Sequence, residues 1–199
     1  MFIKTILDFC IAFVGSIFLV PITIVLKIVY ICTGDFHSIF YIQKRIGKNG
    51  KPFNFIKYRT MVKNADEKLS KILAENKELE KEYRENKKLK NDPRLTRIGK
   101  FLRKTNIDEL PQLWLVLIGK MSIVGNRPYM LTEKTDMGKY FDDIVKTKPG
   151  ITGYWQVMRN KYGRSFETRL FMESFYSNNR TLKLDFILFF KTFSILFNN

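Results

Sequence analysis

The hydropathy pattern opens on a long apolar segment. Lys4 and Asp8 precede an uncharged, mostly apolar run from Phe9 to Leu26, about long enough to cross a bilayer. Pro21 falls in mid-run, where a missing backbone donor predicts a kink or break rather than a plain spanning helix. The run lacks a small-residue cleavage pattern and carries an acid near its start, which argues against a cleaved signal peptide. Alternation takes over between Gly34 and Thr60. There SIFYIQKRI, a Gly47-Lys48-Asn49-Gly50 turn and KPFNFIKYRT spell a β-hairpin. Lys57 and Arg59 lie two apart, so a strand puts both on one face.

Helical patterning dominates the rest. Residues 61–92 form a charged helical stretch with a narrow stripe of Leu69, Ile72, Leu73, Leu79 and Tyr83, which reads as a solvated insertion. Asn91-Asp92-Pro93 stops that pattern, and Thr96 is placed to cap a new helix. On it Arg97, Lys100 and Lys104 share a face opposite Ile98, Phe101 and Leu102. Cations near its C-terminus, Arg103 and Lys104, suit the helix dipole, and a basic amphipathic face equally suits lipid phosphates or a nucleotide diphosphate. Leu113 to Ile118 is apolar all round and predicts a buried helix ending at Gly119. Tyr129 to Thr147 is mixed and helical in character, Lys148-Pro149-Gly150 is a turn, and ITGYWQV is strand-like. The tail, Leu182 to Phe197, is phenylalanine-rich but carries Asp185 and Lys191 and is short for a span. It predicts an interfacial helix, with a core helix as the alternative. The expected fold is α+β, mostly helical with one small hairpin, in which residues 1–33 insert into a membrane and residues 34–199 form one domain.

Charge and composition narrow the chemistry. With 35 Lys and Arg against 19 Asp and Glu, the formal net charge of +16 calls for anionic partners. Aromatic residues make up 15% of the chain and gather in apolar runs, which favours a lipid interface over nucleic acid, for which no recognised motif is present. One histidine, His37, and two cysteines, Cys10 and Cys32, leave little room for a zinc site, a Ser-His-Asp triad or a disulfide framework. Chemistry therefore falls to carboxylates, Lys, Arg, Tyr or a hard metal ion. The adjacent pair Asp108 and Glu109 stands out, between Arg103-Lys104 and a turn holding Gly125 and Arg127. One reading makes it a helix start, with Asn106 as N-cap and Glu109 closing a capping box. The other makes it a fixed pair of acids presented to a metal-bound anionic substrate.

The block DELPQLWLVLIGKMSIVGNRP carries a resemblance, together with KYRTM and NDPRLTRIGKFLRKT before it and KPGITGYWQV after it. These blocks, in order over nearly the whole chain, resemble the bacterial sugar transferase family, the monotopic phosphoglycosyl transferases that begin glycan assembly on a polyprenyl phosphate carrier. The resemblance implies the small form, a catalytic domain behind one re-entrant helix-break-helix hinged at Pro21, at the cytoplasmic face of a bacterial inner membrane. It implies a UDP-sugar donor, undecaprenyl phosphate as acceptor and Mg2+ as cofactor. Asp108 would be the nucleophile, and Glu109 would hold metal with it or manage a proton. Lys57, Arg59, Arg103, Arg127, Pro128 and Gln156 would contact substrate. Four departures stand against the family pattern. Val20 replaces a serine, Lys120 an acid, Glu173 an aspartate, and Asn126 a proline, which is expected to loosen its turn. A membrane-tethered basic module that binds lipid or a partner without catalysis is the rival reading. Neither the sugar, the glycan pathway nor the oligomeric state is legible.

Overall fold

The computed structural model describes residues 2–86, 89–163 and 165–197. Helix α1 runs Phe2–Cys32 with Pro21 inside it. The expected break at Pro21 does not interrupt the helix. Proline removes one N–H donor and crowds the Ile17 carbonyl, yet the helix continues through it, and in the same turn the Thr23 hydroxyl adds a bond to the Leu19 carbonyl at 2.7 Å. By length and composition α1 could cross a membrane. One of its faces follows the body of the protein. Lys4 donates to the Val124 carbonyl at 3.1 Å, and Asp8 accepts from the Ser122 hydroxyl at 2.7 Å. Further along, the Thr23 and Tyr58 hydroxyls share a bond of 2.6 Å, and the Tyr30 hydroxyl donates to the Arg59 carbonyl. Ala12, Leu19, Leu26 and Tyr30 are buried on that stripe at helical spacing, while Phe13, Ile17, Phe18, Ile24 and Ile28 on other faces are more than half exposed.

Strands β1 (Phe40–Ile46) and β2 (Pro52–Tyr58) form the predicted hairpin. Asn49 at φ 57° and Gly50 at φ 72° supply the left-handed residues that its turn needs. The register sets Tyr41 opposite Lys57, Gln43 opposite Phe55 and Arg45 opposite Phe53, so these six share one face. The charged stretch that follows is two helices, α2 (Ala65–Glu75) and α3 (Lys77–Asn86). Asn76 separates them because its side chain accepts from the N–H groups of Glu78 and Leu79, both at 3.0 Å.

Helix α4 (Arg97–Thr105) starts at the predicted cap, where the Thr96 hydroxyl accepts from the Gly99 N–H at 2.8 Å. Leu102 is fully buried, but Phe101 is 59% exposed and does not join the apolar side expected of it. The short helix α5 (Gln112–Leu117) packs on α1, and Leu115 and Val116 enter the largest core cluster. Strand β3 (Ser122–Val124) runs parallel to β4 (Gly150–Thr152), and α6 (Phe141–Val145) lies between them in the chain. The strand expected over ITGYWQV stops at Thr152. Its partner offers no ladder beyond Val124, and the chain turns into α7 (Tyr154–Tyr162).

Helices α8 (Phe166–Asn179) and α9 (Leu182–Phe197) close the body. The predicted tail is a helix that packs one face on the core, as the core-helix alternative has it. Leu188 is buried in the main core, whereas Phe186, Ile187 and Phe190 are exposed. Asp185 is buried and paired with Lys4 at 2.6 Å. Among the described residues the fold is mostly helical α+β, with two small two-stranded sheets.

Candidate active site

Asn106 does not cap a following helix. It adopts the left-handed conformation, φ 57°, at the C-terminus of α4, and the carboxylates follow in one 3-10 turn, Ile107–Glu109. Asparagine tolerates that conformation, which turns the chain sharply after α4. Ile107 and Leu110 anchor the turn on both sides by packing into a cluster with Tyr58 and Leu102. Asp108 between them is 7% exposed. Burial pushes its carboxyl above the usual aspartate range, and the charges of Lys57 and Arg103 oppose the rise. Burial and the neighbouring Asp108 charge likewise raise Glu109, against the pull of Arg127, Lys57 and the Gln112 amide.

Lys57 reaches this pair from β2. Burial lowers its pKa and the Arg103 charge lowers it further, while Asp108 draws it back. Arg103 is steadied by a bond from its Nε to the Thr60 hydroxyl at 3.1 Å. Arg127 approaches from the loop after β3, its backbone N–H donating to the Glu173 carboxylate at 3.3 Å and its Nε enclosed without a partner. Pro128, next in the chain, gives its carbonyl to Arg45 Nη1 at 3.2 Å. Among the described residues, none of Lys57, Arg103, Asp108, Glu109 and Arg127 closes an ion pair within 4 Å. Cations and acids thus share a site with their charges unspent on one another.

Two predicted contact residues spend their side chains on backbone or on other partners. β2 ends at Tyr58, and Arg59 beyond it binds Asp35 at 2.9 Å and the Ser38 carbonyl at 2.7 Å while resting over the Tyr30 ring. That guanidinium fastens the end of α1 to the hairpin, and it does not share the face of Lys57. Gln156 sits on α7 and donates to the Ile151 carbonyl at 3.3 Å. Lys120 is exposed after α5 and is not among the charges acting on Asp108 or Glu109. Arg45 is the residue that sequence reasoning missed. Its signal was the alternation Tyr41, Gln43, Arg45, which the hairpin register carries onto the Lys57 face.

A second layer supports the Arg127 loop. Asn126 is 3% exposed, and its amide nitrogen lies within bonding distance of the Ile144 carbonyl and the Thr147 and Ser177 hydroxyls. The turn is knit by these bonds rather than loosened by the loss of proline. Glu173 is buried on α8, and desolvation pushes its carboxyl up to about 7. The neighbouring Arg169 guanidinium is packed on the rings of Tyr129, Trp155 and Phe166 at 5.3, 5.2 and 4.8 Å.

The donor set fits a hard cation shared with a substrate. No group of three or more His, Cys, Asp or Glu that could hold a metal occurs among the described residues, so a closed protein cage is absent there. Buried Asp108 and half-buried Glu109 offer carboxylate oxygens without an ion-pair partner, and Mg2+ typically takes one or two carboxylates and fills its shell from phosphates and water. On the apolar side of the molecule, an open groove of about 490 Å3 runs between α1 and the start of β1, with Lys27 and Ser38 among its walls.

The family model described as bacterial sugar transferase matches residues 1–199. The chain is 41% identical over 187 residues to an uncharacterized sugar transferase of Haemophilus influenzae, covering 93% of this chain and 39% of that protein. It is 42% identical over 171 residues to the undecaprenyl-phosphate galactose phosphotransferase of Salmonella typhimurium, covering 84% and 35% respectively. It is 38% identical over 187 residues to the exopolysaccharide production protein ExoY of Sinorhizobium fredii, covering 93% and 81%. The chain therefore spans less than two fifths of the length of the first two relatives and most of the third.

Proposed function

The chain belongs to the bacterial sugar transferase family, and from that premise we propose that it moves a sugar-1-phosphate from a nucleoside diphosphate sugar to polyprenyl phosphate. The carrying observation is Asp108, a nearly buried carboxylate faced by Lys57 and Arg103 yet paired with neither within 4 Å. A carboxylate without a partner is free to attack, and the cations around it offset the charge of an incoming diphosphate.

In the first half-reaction an Asp108 oxygen bonds to the sugar-side phosphorus. The bond from that phosphorus to the bridging oxygen breaks, and a nucleoside monophosphate leaves. In the second half-reaction a phosphate oxygen of the carrier bonds to the same phosphorus. The acyl phosphate bond breaks, Asp108 is regenerated, and the product is a polyprenyl diphosphate sugar. Lys57, Arg103 and Arg127 bind and orient the phosphates, and Glu109 with Asp108 would hold the metal. Mg2+, when bound, supplies charge neutralisation on the phosphate oxygens.

Relatives are named for UDP-galactose and undecaprenyl phosphate. Those names support a uridine nucleotide donor and a bacterial undecaprenyl carrier here. The exposed apolar faces of α1 and α9 support a molecule that lies in the membrane interface rather than one hung from a spanning anchor, on the cytoplasmic side where nucleotide sugars are available. A noncatalytic lipid-binding module has no use for the unpaired acids.

The test is Asp108→Asn in lipid nanodiscs, offered a panel of nucleotide sugars with polyprenyl phosphate. The variant stays folded and membrane-bound but releases no nucleoside monophosphate. Wild-type protein given donor alone gains the mass of a phosphosugar on Asp108. Turnover retained in Asp108→Asn overturns the nucleophile.

A further inference from the structure

A nucleoside diphosphate sugar has two phosphates, and the reading above accounts for only the one that Asp108 attacks. We propose that Arg45, together with Arg127, holds the nucleoside-side phosphate, the one that departs, while Lys57 and Arg103 hold the phosphate under attack. This inference rests on the transferase reading.

The hairpin register is the first support. Arg45 and Lys57 lie on the same inner face, Arg45 opposite Phe53 and Lys57 opposite Tyr41. Four positions along β1 separate their backbones by ~13 Å. The Arg45 side chain closes part of that gap, because its guanidinium lies over the Phe55 ring, 5.5 Å from the centroid, and Phe55 is next to Lys57 on this face.

The partners of Arg45 are the second support. Nη1 is held by the Pro128 carbonyl at 3.2 Å, which puts the guanidinium beside the Arg127 loop, and Nε is enclosed without a partner. Among the described residues it forms no ion pair with a carboxylate within 4 Å. The like charge of Arg127 acts on it more strongly than the attraction of Glu133. Two guanidinium groups kept close without an acid between them repel each other in the free protein, and a phosphate bridging them relieves that repulsion. Four cations, Arg45, Lys57, Arg103 and Arg127, then face two acids, and a diphosphate offsets the excess. On this assignment the phosphate under attack lies with Lys57 and Arg103, the two cations that act on Asp108, and the departing phosphate with Arg45 and Arg127.

A purely structural Arg45 would hold the Pro128 carbonyl and cover the Phe55 ring without touching phosphate, so the variants separate donor from charge. Arg45→Gln keeps a donor for that carbonyl and removes the charge, whereas Arg45→Lys keeps the charge and loses the fork. UMP and uridine are each titrated calorimetrically into the full chain in nanodiscs. Arg45→Gln is expected to weaken UMP at least tenfold and leave uridine unchanged, with Arg45→Lys between it and wild type. If Arg45→Gln fails to fold, Arg45→Lys carries the comparison, with a threefold or larger loss for UMP alone. Unchanged UMP affinity, or equal losses for UMP and uridine, overturns the assignment. UMP that binds not even the wild type overturns the transferase reading itself.

Discussion

Lys4 Nζ lies 2.6 Å from an Asp185 carboxylate oxygen, joining the first turn of α1 to the first turn of α9 with both side chains largely withdrawn from solvent. Asp185 also accepts from the Tyr176 hydroxyl at 2.6 Å, and Lys4 lies 3.8 Å from Asp8. At the other end of α1, Arg59 and Tyr30 bind the helix to the hairpin. A helix pinned at both ends in this way stays on the body of the protein. Breaking a buried pair by removing one partner leaves an uncompensated charge. Asp185→Ala is therefore expected to cost roughly 3 kcal/mol, read as a lower unfolding midpoint in nanodiscs. Asp185→Ala combined with Lys4→Met should recover part of the loss, and a combined loss equal to the sum of the two single losses would show that the pair is not coupled.

Lys57 is the cation that both acids feel, and its removal tests whether the site acts on phosphate charge. Lys57→Met is expected to lower kcat/KM for the donor by about two orders of magnitude, the scale of one charge-assisted contact in a water-poor site. Arg59→Met, by contrast, loosens the junction of α1 and hairpin, so thermal stability falls more than activity per folded molecule. Steady-state kinetics beside thermal unfolding distinguish the two losses.

The parts of this molecule that were legible in the sequence are those set by neighbours in the chain. The hairpin followed from aromatic alternation around Gly47 to Gly50, and the start of α4 followed from Thr96. Asp108 and Glu109 were legible as a chemical pair, but their local geometry was misread, because a left-handed Asn106 and a capping Asn106 present the same letter. Arg59 looked equivalent to Lys57 by spacing alone, and only the end of β2 at Tyr58 separates them. Contacts between distant segments were illegible. Lys4 with Asp185, Arg45 with Pro128, and Asn126 with Ser177 each depend on how helices pack. The strand expected across Trp155 failed for the same reason, since the length of β4 is set by β3 and not by its own residues.

Gly99 transmits packing to the site. A Cβ there would come within 1.8 Å of the Thr60 carbonyl oxygen, so α4 and the end of the hairpin touch through backbone. Arg103 on the same helix binds the Thr60 hydroxyl. Gly99→Ala must push α4 away, which moves Arg103 and the turn bearing Asp108. The expected outcome is a loss of roughly 2 kcal/mol in stability, of the size seen for overpacking, with a fall in kcat larger than the rise in KM. An alanine variant with wild-type melting and kinetics would show that the helix yields freely there.

Metal removal is expected to act through the carboxylate pair. Exhaustive chelation should abolish nucleoside monophosphate release, and Mg2+ should restore it. Glu109→Gln should raise the Mg2+ concentration needed for half-maximal activity, because one of the two protein oxygens that bear charge is lost. Chelated enzyme that keeps full turnover would remove the metal from the scheme while leaving Asp108 in place.

Glu173 makes stability depend on pH. Its folded pKa of about 7 lies above the 4.5 of an exposed glutamate, chiefly through burial. Between those values the folded state holds a proton that the unfolded chain has released, so stability falls as pH rises through that window and levels off above it. The full change amounts to roughly 3 kcal/mol. Glu173→Gln retains an acceptor for the Arg127 N–H and carries no titrating proton. The variant is expected to show a flatter stability curve between pH 4.5 and 7 and to exceed the wild type at pH 8, as read by chemical unfolding at stepped pH. Parallel curves for the two proteins would mean that Glu173 is ionised throughout, with Arg169 and Arg127 holding its charge despite the burial.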